Sequence, residues 1–114
     1  MMVLPWPPSV NHYWRNVGGK TLISAKGREY RDAVRILAIE ESWPIHADKR
    51  LAVTIEAWVP DKRRRDLDNM LKAALDALTH AGVWEDDSQI DDLRIVRMPV
   101  GGMLKIEAIE VISR

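Results

Sequence analysis

Leu51-Ala52-Val53-Thr54-Ile55-Glu56-Ala57-Trp58-Val59 runs through Pro60-Asp61 into Lys62-Arg63-Arg64-Arg65-Asp66-Leu67-Asp68-Asn69. The first nine residues alternate. Leu51, Val53, Ile55, Ala57 and Val59 point one way, and Ala52, Thr54, Glu56 and Trp58 point the other. A period of two marks a strand with one buried face. Pro60 cannot donate to a ladder and stops it. Beyond the charged loop the period changes. Leu67, Met70, Leu71, Ala74, Leu75 and Leu78 recur at three and four residues, which predicts a helix from Leu67 to Ala81 closed by Gly82. Asp66 is placed to cap it by accepting from the free N–H groups of the first turn. Strand, charged loop and amphipathic helix in this order begin an α/β unit.

Outward from that unit the signals are shorter. Leu4-Pro5-Trp6-Pro7-Pro8-Ser9 is stiff and extended, because three prolines fix φ. Asn11 to Gly19 reads as a loop with a turn at Gly18-Gly19, and Thr21-Leu22-Ile23 as a short strand. Ser24 offers an N-cap for a helix reaching about Glu41, whose apolar face is Tyr30, Ala33, Val34, Leu37 and Ala38. Ser42-Trp43-Pro44 ends it. Toward the C-terminus, Leu93 to Met98 and Met103 to Ile112 read as two strands joined by a turn at Gly101-Gly102, with a bulge expected at Ile109. The expected order is strand, helix, strand, helix, strand, strand. That is an α/β (α+β) fold: one small domain over residues 1–114, a mixed β-sheet with two main helices packed on it.

Composition narrows the class. At 114 residues, 46% hydrophobic and 30% charged, the chain can bury a modest core. No apolar run is long enough to cross a bilayer and no signal peptide is visible, so the expected setting is cytoplasmic, with no membrane partner. The absence of cysteine excludes a disulfide framework and a thiolate zinc site. The net charge is zero but unevenly spread. Six cations (Arg15, Lys20, Lys26, Arg28, Arg31, Arg35) face two anions (Glu29, Asp32) between positions 15 and 35, while positions 85–92 hold five acids and no base. A basic surface around an acidic pocket gives this balance, and so does scattered solvated charge.

The chemistry lies where cations abut carboxylates. Asp66 and Asp68 supply hard oxygen donors that suit Mg²⁺, with Mn²⁺ as a substitute. A capping Asp followed by an exposed one is the plainer alternative. Lys72, four residues after Asp68, can stabilise charge on a phosphate or form an ordinary surface ion pair. Lys62, Arg63, Arg64 and Arg65 match a phosphate backbone by charge. Arg15 and Lys20 extend that basic set. Asp86 and Asp87 gain a role if their loop folds back about 20 Å to Asp66 and Asp68, a tight reach, or if a second subunit completes the cluster. Trp14, in a basic loop, is a candidate base-stacking surface. The three histidines form no ligand-spaced group, and no glycine-rich phosphate loop or serine triad is present.

Taken in order, Leu4-Pro5-Trp6-Pro7-Pro8-Ser9, Ser24-Ala25, Gly27, Tyr30-Arg31, residues 60–69, Lys72-Ala73-Ala74, Asp76-Ala77-Leu78-Thr79, Trp84, Asp86-Asp87 and Met98-Pro99-Val100 resemble the RusA family of Holliday junction resolvases. The resemblance covers almost the whole chain. It implies a small homodimeric endonuclease that binds four-way junction DNA and cuts paired strands symmetrically with Mg²⁺ and no organic cofactor. The family's three catalytic aspartates, also its metal ligands, fall on Asp66, Asp68 and Asp87. Its essential lysine falls on Lys72, and Asp86 matches an acid beside the third aspartate. Three departures stand out: a shortened strand before Leu4, fewer cations from Arg15 to Thr21, and Leu71 in place of a polar residue. A non-catalytic junction-binding module, or a metal nuclease acting on other branched DNA, are the competing readings.

Overall fold

The computed structural model describes residues 1–112. The central strand, β4 (Leu51–Trp58), forms as its alternation requires: Leu51, Val53, Ile55 and Ala57 are fully buried or nearly so, and the intervening residues are half-buried. The other elements are β1 (Met2–Pro5), α1 (Val10–Tyr13), β2 (Trp14–Val17), β3 (Lys20–Ile23), α2 (Ala25–Glu40), α3 (Asp68–His80), β5 (Ile90–Met98) and β6 (Met103–Glu110). Four strands form a mixed sheet in the order β1-β6-β4-β5, and β2 and β3 form a separate antiparallel ribbon. The α+β class and the two packed helices are as expected.

Register explains the core. Ile55 lies opposite Ile106 and Ala57 opposite Leu104 across the β4–β6 pair, while Leu4 lies opposite Leu104 across β1–β6. These side chains share one face. Tyr30 and Val34 of α2 and Met70, Ala73, Ala74, Ala77 and Leu78 of α3 join them in one cluster. The alanines of α3 are wholly buried in this cluster, and α3 packs closely along α2; each fully buried larger aliphatic side chain contributes about 1.5–3 kcal/mol.

The C-terminal strands differ from the hairpin that their short turn suggests. β5 runs parallel to β4, whereas β6 pairs antiparallel with β4 on its other side. The connection therefore crosses the end of β4, where Gly101 N–H donates to the Val59 carbonyl and Gly102 N–H to that of Trp58, each at 2.8 Å. A Cβ on Gly101 would stand 3.0 Å from the Trp58 Cβ, so this crossing needs a bare backbone. No bulge forms at Ile109, whose pairing with Ala52 is continuous with its neighbours; the irregularity lies between Leu51 and Ala52 on the β5 side.

Two further differences lie in the N-terminal half, beside the turn expected at Gly18-Gly19. Met2–Pro5 forms an edge strand despite its proline, since Pro5 is the last residue of the strand. The stretch read as a loop holds a single helical turn, Val10–Tyr13, and then β2. Gly18 and Gly19 both have positive φ, 56° and 79°, the geometry of a tight two-residue hairpin turn. No helix among the described residues is long and apolar enough to cross a membrane.

Candidate active site

The basic loop leaves the C-terminal end of β4 and is held in shape by its own residues. The Asp61 carboxylate accepts from the Arg63 backbone N–H (2.8 Å) and pairs with the Arg65 guanidinium (2.9 Å) and that of Arg63 (3.1 Å). The Arg65 contact, then those of Arg63, hold its pKa far below the usual carboxylate value. From the sheet, Arg97 donates to the Arg65 carbonyl at 2.9 Å. Arg97 is a cation at a position that shares its face with Leu93 and Ile95, an anomaly visible in the sequence but not used there. Lys62, Arg63 and Arg64 are exposed, while Arg65 is half-buried, its guanidinium carbon 6.0 Å from the Trp6 ring centroid.

Asp66 and Asp68 follow at once, both exposed, at the N-terminal end of α3. Asp66 does not cap the helix with its side chain. Leu67 stands at the N-cap position, and the Asp66 carbonyl accepts from Asn69 N–H at 3.2 Å. Among the described residues neither carboxylate has a side-chain partner, and both lie close to the positive end of the helix dipole. Lys72 is exposed one turn further along. Among the described residues it forms no ion pair with Asp68 or Asp76.

Asp76, the next residue on that polar strip, is tied down. The Arg31 guanidinium grips its two oxygens at 2.7 and 3.0 Å, and the Tyr13 hydroxyl donates to the same carboxylate. Burial first, then the Asp76 hydrogen bond, push the Tyr13 phenol well above its ordinary pKa. Arg31 also lies over Trp14, 6.0 Å from its centroid, and the Tyr13 and Trp14 rings meet edge to face at 4.9 Å. Trp14 is therefore part of this packing and not an open stacking surface. Its indole nitrogen is buried and has no acceptor among the described residues.

Asp87 lies at the other end of α3. Gly82 and Val83 close the helix with reverse bonds to Thr79 and Leu78 (3.0 and 3.1 Å), and the chain proceeds to β5 without turning back. Trp84, fully buried, donates to the Thr79 hydroxyl at 2.7 Å, and Asp87 packs against both. Thr79 is eleven residues beyond Asp68, so Asp87 sits about 16 Å further along the helix axis. The β4-α3-β5 crossover enforces this, because β5 lies parallel beside β4 and α3 must carry the chain from the C-terminal end of β4 back to the opposite end of the strands. Of the two routes open to Asp86 and Asp87, the fold-back within one chain is therefore not the one taken: no group of three acidic or histidine side chains comes together among the described residues. Asp86 caps the short 3₁₀ turn Asp87–Gln89, accepting from Ser88 N–H at 2.8 Å. Gln89 is buried and anchors this loop through Ala47 and Lys49 carbonyls at 2.9 and 2.6 Å, a part the sequence did not signal.

Arg15 and Lys20 are exposed on the β2–β3 ribbon. Exposed cations on the ribbon and on the 62–65 loop are groups suited to a polyanion. Comparison with known proteins agrees: the profile of the family described as Endodeoxyribonuclease RusA matches residues 5–108. This chain belongs to the RusA family. It is 48% identical over 112 residues to the crossover junction endodeoxyribonuclease RusA of Shigella sonnei, covering 96% of this chain and 93% of that protein. The protein of that name from Escherichia coli K12 is 47% identical with the same coverage. That of Enterobacteria phage HK97 is 48% identical over 114 residues, covering 97% and 94%. A RusA family fold thus presents Asp66, Asp68 and Lys72 at one end of α3 and Asp87 at the other.

Proposed function

We propose that this RusA family member is a cytoplasmic, structure-specific endonuclease that resolves four-way DNA junctions by paired symmetric cleavage, acting as a homodimer with Mg²⁺. The observation that carries this reading is the pair of uncommitted carboxylates, Asp66 and Asp68, directly after an ordered arginine loop. Phosphates need the arginines, and the carboxylates would repel a phosphate unless a cation lay between them. Two hard oxygen donors plus substrate oxygens are a donor set that Mg²⁺ accepts. Bound there, the cation would polarise the phosphate and lower the pKa of an attacking water.

The remaining work falls to side chains of the chain. Lys62, Arg63 and Arg64 attract the backbone, and Arg65, locked by Asp61, fixes its approach. Lys72 stabilises charge at the phosphate or the leaving oxygen; Arg31 and Tyr13 occupy Asp76 and so leave the ammonium available. Asp87 joins from a second copy, since α3 separates it from Asp66 and Asp68 in its own chain. Two such composite sites related by a two-fold axis suit the symmetry of a junction.

The test is a nicking assay on fixed and mobile four-way junctions with and without Mg²⁺. Wild type is expected to nick opposed strands only with the cation, and Asp68→Asn to bind the junction without cutting. Equal nicking by Asp68→Asn would refute the assignment.

A further inference from the structure

A groove of about 460 Å³ opens beside the arginine loop. Its floor is apolar and partly aromatic: Trp6, Pro7, Pro8 and Tyr30. Its rim carries His12, Lys26 and Glu29, all exposed. The volume falls within the range of about 300–1,000 Å³ typical of small-molecule sites. None of these residues has a part in the proposed cleavage chemistry.

Each wall has a defined capacity. The Tyr30 hydroxyl is spent on the Pro5 carbonyl at 2.7 Å, so Tyr30 contributes its ring. The Trp6 ring is steadied by the Arg65 guanidinium, which ties the groove to the residue immediately before Asp66. His12 Nδ1 is paired with Ser9 Oγ at 2.9 Å, which leaves Nε2 available for a ligand. Lys26 and His12 can donate to an anion, and Glu29 can accept from an N–H edge. A flat apolar face, an anionic group and N–H donors occur together in a nucleotide.

Resting on the junction reading above, we propose that this groove takes one unstacked deoxynucleotide from the branch point, its base against Trp6 and the prolines and its phosphate on Lys26 and His12. Aromatic faces receive bases of any sequence. A base inside a duplex must first be unpaired and unstacked, at a cost of a few kcal/mol, whereas a base at a branch is already loosened. The groove therefore favours branched over linear DNA without reading sequence.

The test uses wild-type protein and four-way junctions carrying 5-iododeoxyuridine at successive branch-point positions, irradiated without divalent cation. Adducts are expected on Trp6, Tyr30 or His12, and only from branch-point positions. Adducts confined to the β2–β3 ribbon or to residues 62–65 would overturn the proposal. In parallel, Trp6→Leu and a His12→Gln/Lys26→Gln double variant are expected to lose about tenfold in junction affinity while linear-duplex affinity holds. The double variant alters only surface side chains, so an unchanged junction-to-duplex ratio there overturns the proposal even if Trp6→Leu fails to fold. Adducts at Trp6 with no cleavage in a parallel assay containing Mg²⁺ would retain the groove and remove the nuclease reading; cleavage in that assay with adducts elsewhere would do the reverse.

Discussion

Asp76 shows how a residue with no expected part in the reaction can decide which neighbours are free to act. Its carboxylate is shared by Arg31 and Tyr13, both contributed by the N-terminal third of the chain. Asp76→Asn leaves the half-buried guanidinium without a counter-charge, and a loss of about 1–3 kcal/mol is expected in urea unfolding. Lys72→Ala removes only an exposed side chain. Its unfolding curve should match wild type, while the single-turnover cleavage rate falls about 100-fold; a wild-type rate would deny Lys72 its part. At Asp61 the pKa is depressed in the folded protein from an ordinary 3.8. As pH falls toward and through 4, the unfolded chain takes up this proton before the folded one does. The contribution of Asp61 is thus full at neutral pH and fades in acid. Asp61→Asn should remove that acid-side dependence and weaken junction binding, with the fold intact by circular dichroism.

Among the elements, the ribbon β2–β3 depends on one glycine of α2. A Cβ on Gly27 would lie 2.5 Å from the Tyr13 carbonyl oxygen and 2.7 Å from Ile23 Cγ1. Ser24 caps the same helix, accepting from Gly27 N–H at 3.0 Å, so helix start and ribbon base are packed as one piece. Gly27→Ala is expected to cost about 1–3 kcal/mol and to lower the melting temperature accordingly; unchanged melting would show that the contact gives way freely. The elements legible in the sequence were those with long periodicity: β4 by strict alternation, α2 and α3 by their apolar stripes, α2 also by its Ser24 cap. α1 and β2 were missed because such short elements carry almost no period to read: α1 is ordered by packing on α2 and α3, and β2 by pairing with β3. The Asp66 cap was misplaced for a related reason. An Asp before an apolar stripe satisfies the capping pattern, but here the helix begins two residues later.

For the whole molecule, composition and motif order gave the class, the candidate residues and the family; the order of strands in the sheet did not follow from them. A short turn suggests neighbours, yet Gly101-Gly102 carries the chain across the end of β4. The same limit applied to the site. Asp66, Asp68 and Lys72 lie within seven residues, and their shared end of α3 was readable from helical spacing. The position of Asp87 depends on the parallel placement of β5 beside β4, which returns the chain to the opposite end of the strands. On the reading proposed above, that geometry makes the pairing of two subunits central to catalysis. Asp68→Asn and Asp87→Asn proteins, each inactive alone, can be mixed under conditions that exchange subunits and assayed on a four-way junction with Mg²⁺. A heterodimer then holds one wholly intact composite site and one doubly altered, so nicking should return to about one quarter of the wild-type level. A mixture as inactive as its two components, with heterodimers shown to form, would contradict a site shared between subunits.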